Sequence, residues 1–267
     1  MDLKNKVAVI TGSTRGFGRA VAEQMLAVGA RVVVSGRKQT TVDAVIAELD
    51  KGGQVIGQAC DVSVADQVYT PMAGGILDFA PEVAEQTFRV NCVGTLNGTQ
   101  AAMYYMKPLG RGTIVTLYGR GSDLNPATPS GLYGATKAWI TSFTRTMAKE
   151  YADLGVQIVG FSPGMMLTDM LDVHKVVGDQ VAETMKNFPM VLKALSTPPD
   201  VPARELVRLL ETNEKPFVEY KFMSGLRRIK MMAKFAWMGM NKNARPAPQE
   251  FTVLPEFEAP VEPNNEK

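Results

Sequence analysis

Val7-Ala8-Val9-Ile10-Thr11 runs straight into Gly12-Ser13-Thr14-Arg15-Gly16-Phe17-Gly18, and no other stretch limits the fold as tightly. The first five residues are apolar and mostly β-branched, the pattern of a buried parallel strand. Beyond the glycines, Ala20, Val21, Met25, Leu26 and Val28 recur at helical spacing, and Gly29 closes the helix. Strand, glycine turn and helix in this order aim backbone N–H groups and a helix N-terminus at one point, where they suit a pyrophosphate. A plain tight turn uses the same glycines, so the reading rests on the strand-to-helix context.

The rest of the chain alternates in the same way. Residues 31–35, 55–60, 113–117 and 156–161 read as strands, and 217–220 as a short last strand. Helical patterns cover 40–49, 81–106 and 133–154, with Pro81 suited to a first turn. Such alternation predicts an α/β fold: a Rossmann-like, doubly wound parallel sheet. At 267 residues, 45% hydrophobic and 21% charged, the chain can bury one substantial core. Residues 1–222 read as a single catalytic domain, 223–244 as a basic amphipathic helix and 245–267 as a disordered tail rich in Pro and Glu.

Tyr133 and Lys137, in Tyr133-Gly134-Ala135-Thr136-Lys137, would share one helix face at i and i+4. A free Tyr is a poor acid at neutral pH, and lowering its pKa by roughly 3 units takes about 4 kcal/mol. A neighbouring cation favours the phenolate. The same spacing also describes an ordinary exposed helix face.

Together these motifs resemble the short-chain dehydrogenase/reductase family. Thr11-Gly12-x-x-x-Gly16-x-Gly18 is similar to its cofactor loop, and Tyr133-x-x-x-Lys137 to its catalytic pair. The resemblance runs from about Val7 to Thr168. It implies that Tyr133 exchanges a proton with a carbonyl or alcohol oxygen, and that Lys137 holds the nicotinamide ribose and lowers the Tyr pKa. Asn91, in Val90-Asn91-Cys92-Val93-Gly94, matches the Asn that anchors a water relay to the Lys. Pro163, Gly164, Met166 and Thr168 match the segment that meets the nicotinamide carboxamide. Asp61 and Val62 match an adenine-side contact, although Asp61 also fits a helix cap. The family's catalytic Ser has no counterpart at its usual place; Ser122 is the nearest hydroxyl, with Tyr118 as the alternative donor. Gly119-Arg120-Gly121-Ser122 together with Ser162-Pro163-Gly164-Met165 is similar to the chlorophyll b reductase branch. Family members often form homo-oligomers, which the resemblance carries over here.

Cofactor choice is read at the end of the second strand. An acid there would bond the 2′-hydroxyl of NAD, whereas Arg accommodates the 2′-phosphate of NADP. Here Ser35-Gly36-Arg37-Lys38 replaces the acid, and Arg15 adds a cation in the glycine loop. The expectation is NADP(H), with Gly12, Ser13, Arg15, Gly16, Phe17, Gly18 and Arg37 on the cofactor.

Between Asp61 and Asn91 the family's helix, central strand and Asn-Asn-Ala-Gly turn do not fit. Pro71-Met72-Ala73-Gly74 looks like a remnant of that turn. The fourth, central strand is therefore expected to be shortened or missing. Residues lost from the gene model, a splice form, an engineered deletion and a genuinely shortened sheet all give this result.

Other classes are disfavoured. One histidine, His174, and two cysteines, Cys60 and Cys92, give no metal or His-triad pattern; His174 reads as a surface residue. A net charge of +2 calls for no nucleic acid. No signal peptide or spanning segment is read, which leads to a cytoplasmic expectation. Met165, Met166, Met170, Met185 and Met190 suit either a large apolar carbonyl or alcohol substrate or core packing. From Phe222 to Met240, Arg227, Arg228, Lys230 and Lys234 interleave with Met231, Met232, Phe235, Trp237 and Met238, as in a helix lying on an anionic membrane surface or packed on protein. Two functions stand against each other: an NADP(H)-dependent carbonyl reductase or alcohol dehydrogenase, and a non-catalytic nucleotide-binding or membrane-associated scaffold.

Overall fold

In the computed structural model, which describes residues 2–50, 52–62, 73–168 and 175–257, the alternating pattern folds as read, but the parallel strands fall into two ladders. β1 (Val7–Ile10), β2 (Arg31–Gly36) and β3 (Val55–Ala59) pair in the order β1-β2-β3, with Val9 opposite Val33 and Val34 opposite Gly57. Helices α1 (Gly16–Ala27) and α2 (Gln39–Leu49) make the crossovers. β4 (Gly112–Leu117), β5 (Val156–Ser162) and β7 (Phe217–Lys221) form the second ladder in that order, with Ile114 opposite Ile158.

Among the described residues no strand joins the two ladders. β1 pairs only with β2, and β4 only with β5. This agrees with a shortened or missing fourth strand. Val7 and Val9 on β1 stay 57% and 69% exposed, where a central strand would bury them. Backbone N–H and C=O groups on such an edge must find water instead of a ladder. Pro71, Met72, Met170 and His174 lie outside the described residues. Ala73 and Gly74 do not continue a sheet strand here. Val177 N–H donates to Ala73 O, and Gly74 N–H donates to Pro129 O.

Packing unites what the ladders do not. One core takes Val32 and Val34 from β2, Val159 and Phe161 from β5, Phe17, Val21 and Met25 from α1, and Leu206 from α8 (Asp200–Thr212). Phe161 stacks between Phe17 and Tyr220, with ring centroids 6.0 and 5.6 Å away. This column of rings runs from the start of α1 through β5 to β7.

Residues 81–106 fold as one long helix, read correctly from Pro81 onward. It is interrupted by a π-helical turn at Arg89–Val93 between α3 (Pro81–Phe88) and α4 (Gly94–Met106). α5 (Gly131–Glu150) follows β4 and carries Tyr133 and Lys137. After β5 come β6 (Lys175–Val177), α6 (Asp179–Met185) and α7 (Phe188–Leu195). Met185 joins Val176 and Phe188 in a small separate core, so this methionine packs the fold and does not line a substrate site.

Residues 245–257 depart from the disorder expected of the tail; 258–267 lie outside the described residues. Beyond α9 (Gly225–Met240), β8 (Thr252–Leu254) pairs in parallel with β6, and Phe257 N–H donates to Asp78 O. The short apolar run Thr252-Val253-Leu254 explains this: it supplies a strand that composition alone concealed. Among the described residues no helix is long and apolar enough to cross a membrane.

Candidate active site

The glycine turn is shaped by close approach. A Cβ on Gly18 would stand 2.6 Å from Gly12 O, so only glycine lets α1 begin this near the end of β1. Gly12 and Gly16 adopt φ of +63° and +57°, the left-handed region that favours glycine. Arg15, the N-cap of α1, makes no side-chain cap bond, and no acid sits in the first turn. The N-terminal end of α1 is therefore electropositive and open to an anion.

Ser13 behaves differently from the cofactor ligand it was expected to be. Its N–H donates to Ser35 O, while its hydroxyl donates to Ile10 O at 2.6 Å and accepts from Ser35 N at 3.0 Å. Both of its donors are used to lock the ends of β1 and β2. Phe17 is buried against Phe161, so its side chain braces the turn.

The end of β2 lies beside this turn. A Cβ on Gly36 would come 2.6 Å from Thr14 Cγ2, which explains why no acid stands at this position. Arg37 and Lys38 follow, exposed, and among the described residues neither has an ion-pair partner. Cys60 N–H donates to Gly36 O, so Asp61 and Val62 leave β3 next to the same corner. Val62 packs on Gly94 of α4, and its carbonyl accepts from Asn97 Nδ2 at 3.3 Å. Thr168 closes the other side: its Cγ2 lies 3.5 Å from where a Gly16 Cβ would be. Gly164 and the buried Pro163 form the turn after β5, whereas Met166 packs into the main core and bridges to Thr197. The structure thus gathers Gly12, Arg15, Gly16, Gly18, Arg37 and Thr168 around the start of α1, and gives Ser13, Phe17 and Met166 structural duties. These residues fit a dinucleotide: an open glycine cradle and an uncapped helix N-terminus.

The reacting groups meet on α5. Tyr133 is half-buried, and a Cβ on Gly119 would stand 2.7 Å from its Oη. Glycine is therefore required at 119 for the turn after β4 to lie against the phenol. Gly121, at φ +93°, presses on the backbone of Gly134 in the same way. Ser122 ends this turn: its Oγ accepts from Gly119 N at 2.9 Å and faces Lys137 O at 3.4 Å. The displaced serine is thus brought back to the Tyr–Lys helix by the glycine-rich turn.

Lys137 Nζ lies 5.5 Å from the centroid of the Tyr133 ring and donates to Leu117 O at 3.1 Å. Burial pulls the ammonium down to about 8, offset in part by Cys92. Burial also pushes the Tyr133 phenol up to about 12. This reverses the expected direction. The cation sits over the ring and bonds a carbonyl, so desolvation outweighs its pull on the phenol oxygen.

Asn91 stands in the π-helical turn, and its Nδ2 donates to Thr136 Oγ1 at 2.9 Å; that hydroxyl donates to Tyr133 O at 2.7 Å. Such π-turns re-aim a side chain, and here Asn91 is directed to the helix of Tyr133 and Lys137. Thr136 and the buried Cys92 were not anticipated. Neither carries a sequence signal beyond lying beside a motif residue. Tyr118, the alternative donor, points away: its hydroxyl donates to Glu219 Oε1 at 2.8 Å, and Arg145 holds both Glu219 oxygens.

Comparison with known proteins agrees with this geometry. Residues 6–74 and 71–175 match the family described as short chain dehydrogenase. An uncharacterized oxidoreductase of Staphylococcus epidermidis is 28% identical over 223 residues, covering 76% of this chain and 96% of the relative. A 3-ketoacyl-(acyl-carrier-protein) reductase from Brucella melitensis, solved with NADH, superposes with a TM-score of 0.65 at 22% identity, covering 81% of this chain and 97% of the other. L-Sorbose reductase from Gluconobacter frateurii, solved with NADPH and L-sorbose, gives a TM-score of 0.65 at 21% identity over 84% and 100%. With the family matched across the glycine turn, the π-turn Asn and the Tyr–Lys helix, this chain belongs to the short-chain dehydrogenases and so to the oxidoreductases of that type.

Proposed function

We propose that the protein is an NADP(H)-dependent carbonyl reductase, or alcohol dehydrogenase in the reverse direction, acting on a fairly large apolar substrate. The observation that carries this reading is the Gly119–Ser122 turn lying against Tyr133 and Lys137, with Asn91 bonded to Thr136 of the same helix, beside a glycine cradle followed at the end of β2 by Gly36 and Arg37 instead of an acid. A bound nicotinamide supplies the hydride in reduction and takes it up in oxidation. Gly12, Gly16 and Gly18 would hold its pyrophosphate at the start of α1, and Arg15 and Arg37 the 2′-phosphate.

Tyr133 holds the proton. Its phenol stays protonated near neutral pH, the form that reduction needs. In reduction the Oη–H bond breaks, and the proton goes to the substrate oxygen as that oxygen gains negative charge. Ser122 is the reading's second donor to the same oxygen, a role for which its hydroxyl must turn away from Lys137 O. Asn91, through Thr136, keeps the helix backbone beside Tyr133 in place. Support for an apolar substrate comes from Ile76, which packs on Gly131 at the start of α5 and is still 57% exposed, with Leu77 exposed beside it.

The purified protein should consume NADPH against a panel of aldehydes and ketones and prefer NADPH to NADH. A preference for NADH overturns the Arg37 assignment. The second reading, a non-catalytic nucleotide-binding protein, is favoured by the divided sheet; tight NADPH binding with no turnover across the panel would support it.

A further inference from the structure

We propose that the outward face of α9 is a docking surface for an anionic lipid membrane. The helix has two apolar faces. Met231, Phe235 and Met238 recur at i, i+4 and i+7; Met238 is 1% exposed, and this face packs on α7. Lys234 Nζ donates to Lys193 O at 2.7 Å, and Arg227 lies over the Phe222 ring at 4.4 Å and 3.4 Å from Glu205, so the inner side is fully engaged. On the opposite side Leu226, Ile229, Trp237 and Met240 share one stripe with Ala233, and are 74%, 64%, 54% and 79% exposed. The stripe runs for about 20 Å along the axis. A solvent-facing stripe of this size marks an interaction surface.

Charge selects the occupant. Lys230 borders the stripe beside Trp237, while Arg228 lies further round the helix beyond the half-exposed Met232; both are exposed, and among the described residues neither has an ion-pair partner. No Asp or Glu occurs in the sequence from Phe222 to Gln249. A second copy laid against this face would bring like charges together with no local carboxylate to offset them. A membrane surface offers acyl chains to the stripe and anionic headgroups to its cationic edge at Lys230 in one plane, and Trp237 suits the boundary between them. With no described helix able to span, contact lies in the plane of the interface. α9 also continues directly from the site: Phe222 N–H donates to Ser162 O at 2.9 Å, at the turn expected to meet the nicotinamide. Delivery of an apolar substrate from the lipid would follow, a consequence that rests on the reductase reading; the docking itself does not.

The test uses the full chain and vesicles of phosphatidylcholine alone, or with about a third phosphatidylglycerol. Sedimentation should favour the anionic vesicles by about tenfold and weaken with added salt. Lys230→Gln should cost about fivefold in binding, and Arg228→Gln, further from the stripe, less than that. Ile229→Asp should abolish binding while leaving the melting temperature unchanged, since the side chain faces outward. Tryptophan emission should shift to the blue on anionic vesicles and fail to do so in Trp237→Phe, with Trp139 retained as the internal reference. Equal binding to both vesicle types, or binding that survives the charge and Ile229 variants, overturns the proposal. So does a concentration-dependent dimer that Ile229→Asp dissolves in a protein that ignores vesicles, which would assign the stripe to a second copy.

Discussion

Gly36 lies between β2 and the glycine turn, and its replacement separates packing from cofactor choice. A Cβ there would meet Thr14 Cγ2 at 2.6 Å and Oγ1 at 3.1 Å, well inside contact distance. Thr14 belongs to the turn, so it cannot retreat without moving the start of α1. Gly36→Ala should therefore cost about 1–3 kcal/mol of overpacking. For a chain of this size that lowers Tm by roughly 2–10 °C. Thr14→Ala removes both clashing atoms and leaves Cβ at 3.4 Å, an ordinary contact. The double variant should recover most of the loss, giving a coupling of about 1–2 kcal/mol where independent sites add within about 0.5 kcal/mol. Thermal melts of the four proteins read this directly. On the relieved background, Gly36→Asp should then shift preference from NADPH toward NADH by placing a carboxylate at the ribose. Simple additivity in the melts would refute the packing argument; an unchanged NADPH preference in the Thr14→Ala/Gly36→Asp protein would refute the ribose argument.

Other outcomes follow from the same geometry. Ser122→Ala leaves the Gly119 N–H without its acceptor, at a cost of about 1–3 kcal/mol, and should lower kcat by ~10²–10³-fold; wild-type turnover would reassign the second donor. Phe161→Ala removes the middle ring of the column joining the two ladders and should cost about 3–5 kcal/mol, read as a lower denaturant midpoint; a loss below about 1 kcal/mol would show that the ladders are held elsewhere. The Lys137 ammonium titrates near 8 when folded and near the ordinary 10.5 when unfolded. The folded chain thus binds fewer protons between those values, and stability should rise with pH across that window. Lys137→Met should flatten that rise, measured as Tm against pH; an unchanged slope would mean the ammonium is not buried as described.

The sequence revealed the motifs and hid their partners. Val7 to Gly18 announced strand, turn and helix, because period and glycine placement are local properties. Tyr133 and Lys137 announced a shared face for the same reason. The pairing of Asn91 with Thr136 joins residues far apart in the chain, and no local pattern encodes it. Gly36 was read as a missing acid; that Thr14 fills the space shows only in three dimensions. The direction of the Tyr133 shift was misjudged because i, i+4 spacing sets a face but not a distance to the phenol oxygen, and burial decided the sign. Thr252–Leu254 was lost in a tail whose Pro and Glu content outweighed three apolar residues. That no described strand joins the two ladders, by contrast, agrees with the short span between Asp61 and Asn91.

The central claim is that Tyr133 carries the proton. Its most direct measurement is NADPH consumption with the best carbonyl substrate, wild type against Tyr133→Phe. The two proteins should bind NADPH equally, since the ring and its packing against the Gly119 turn are kept, while turnover in Tyr133→Phe should fall by at least ~10²–10⁴-fold. Turnover within a few-fold of wild type would contradict the account.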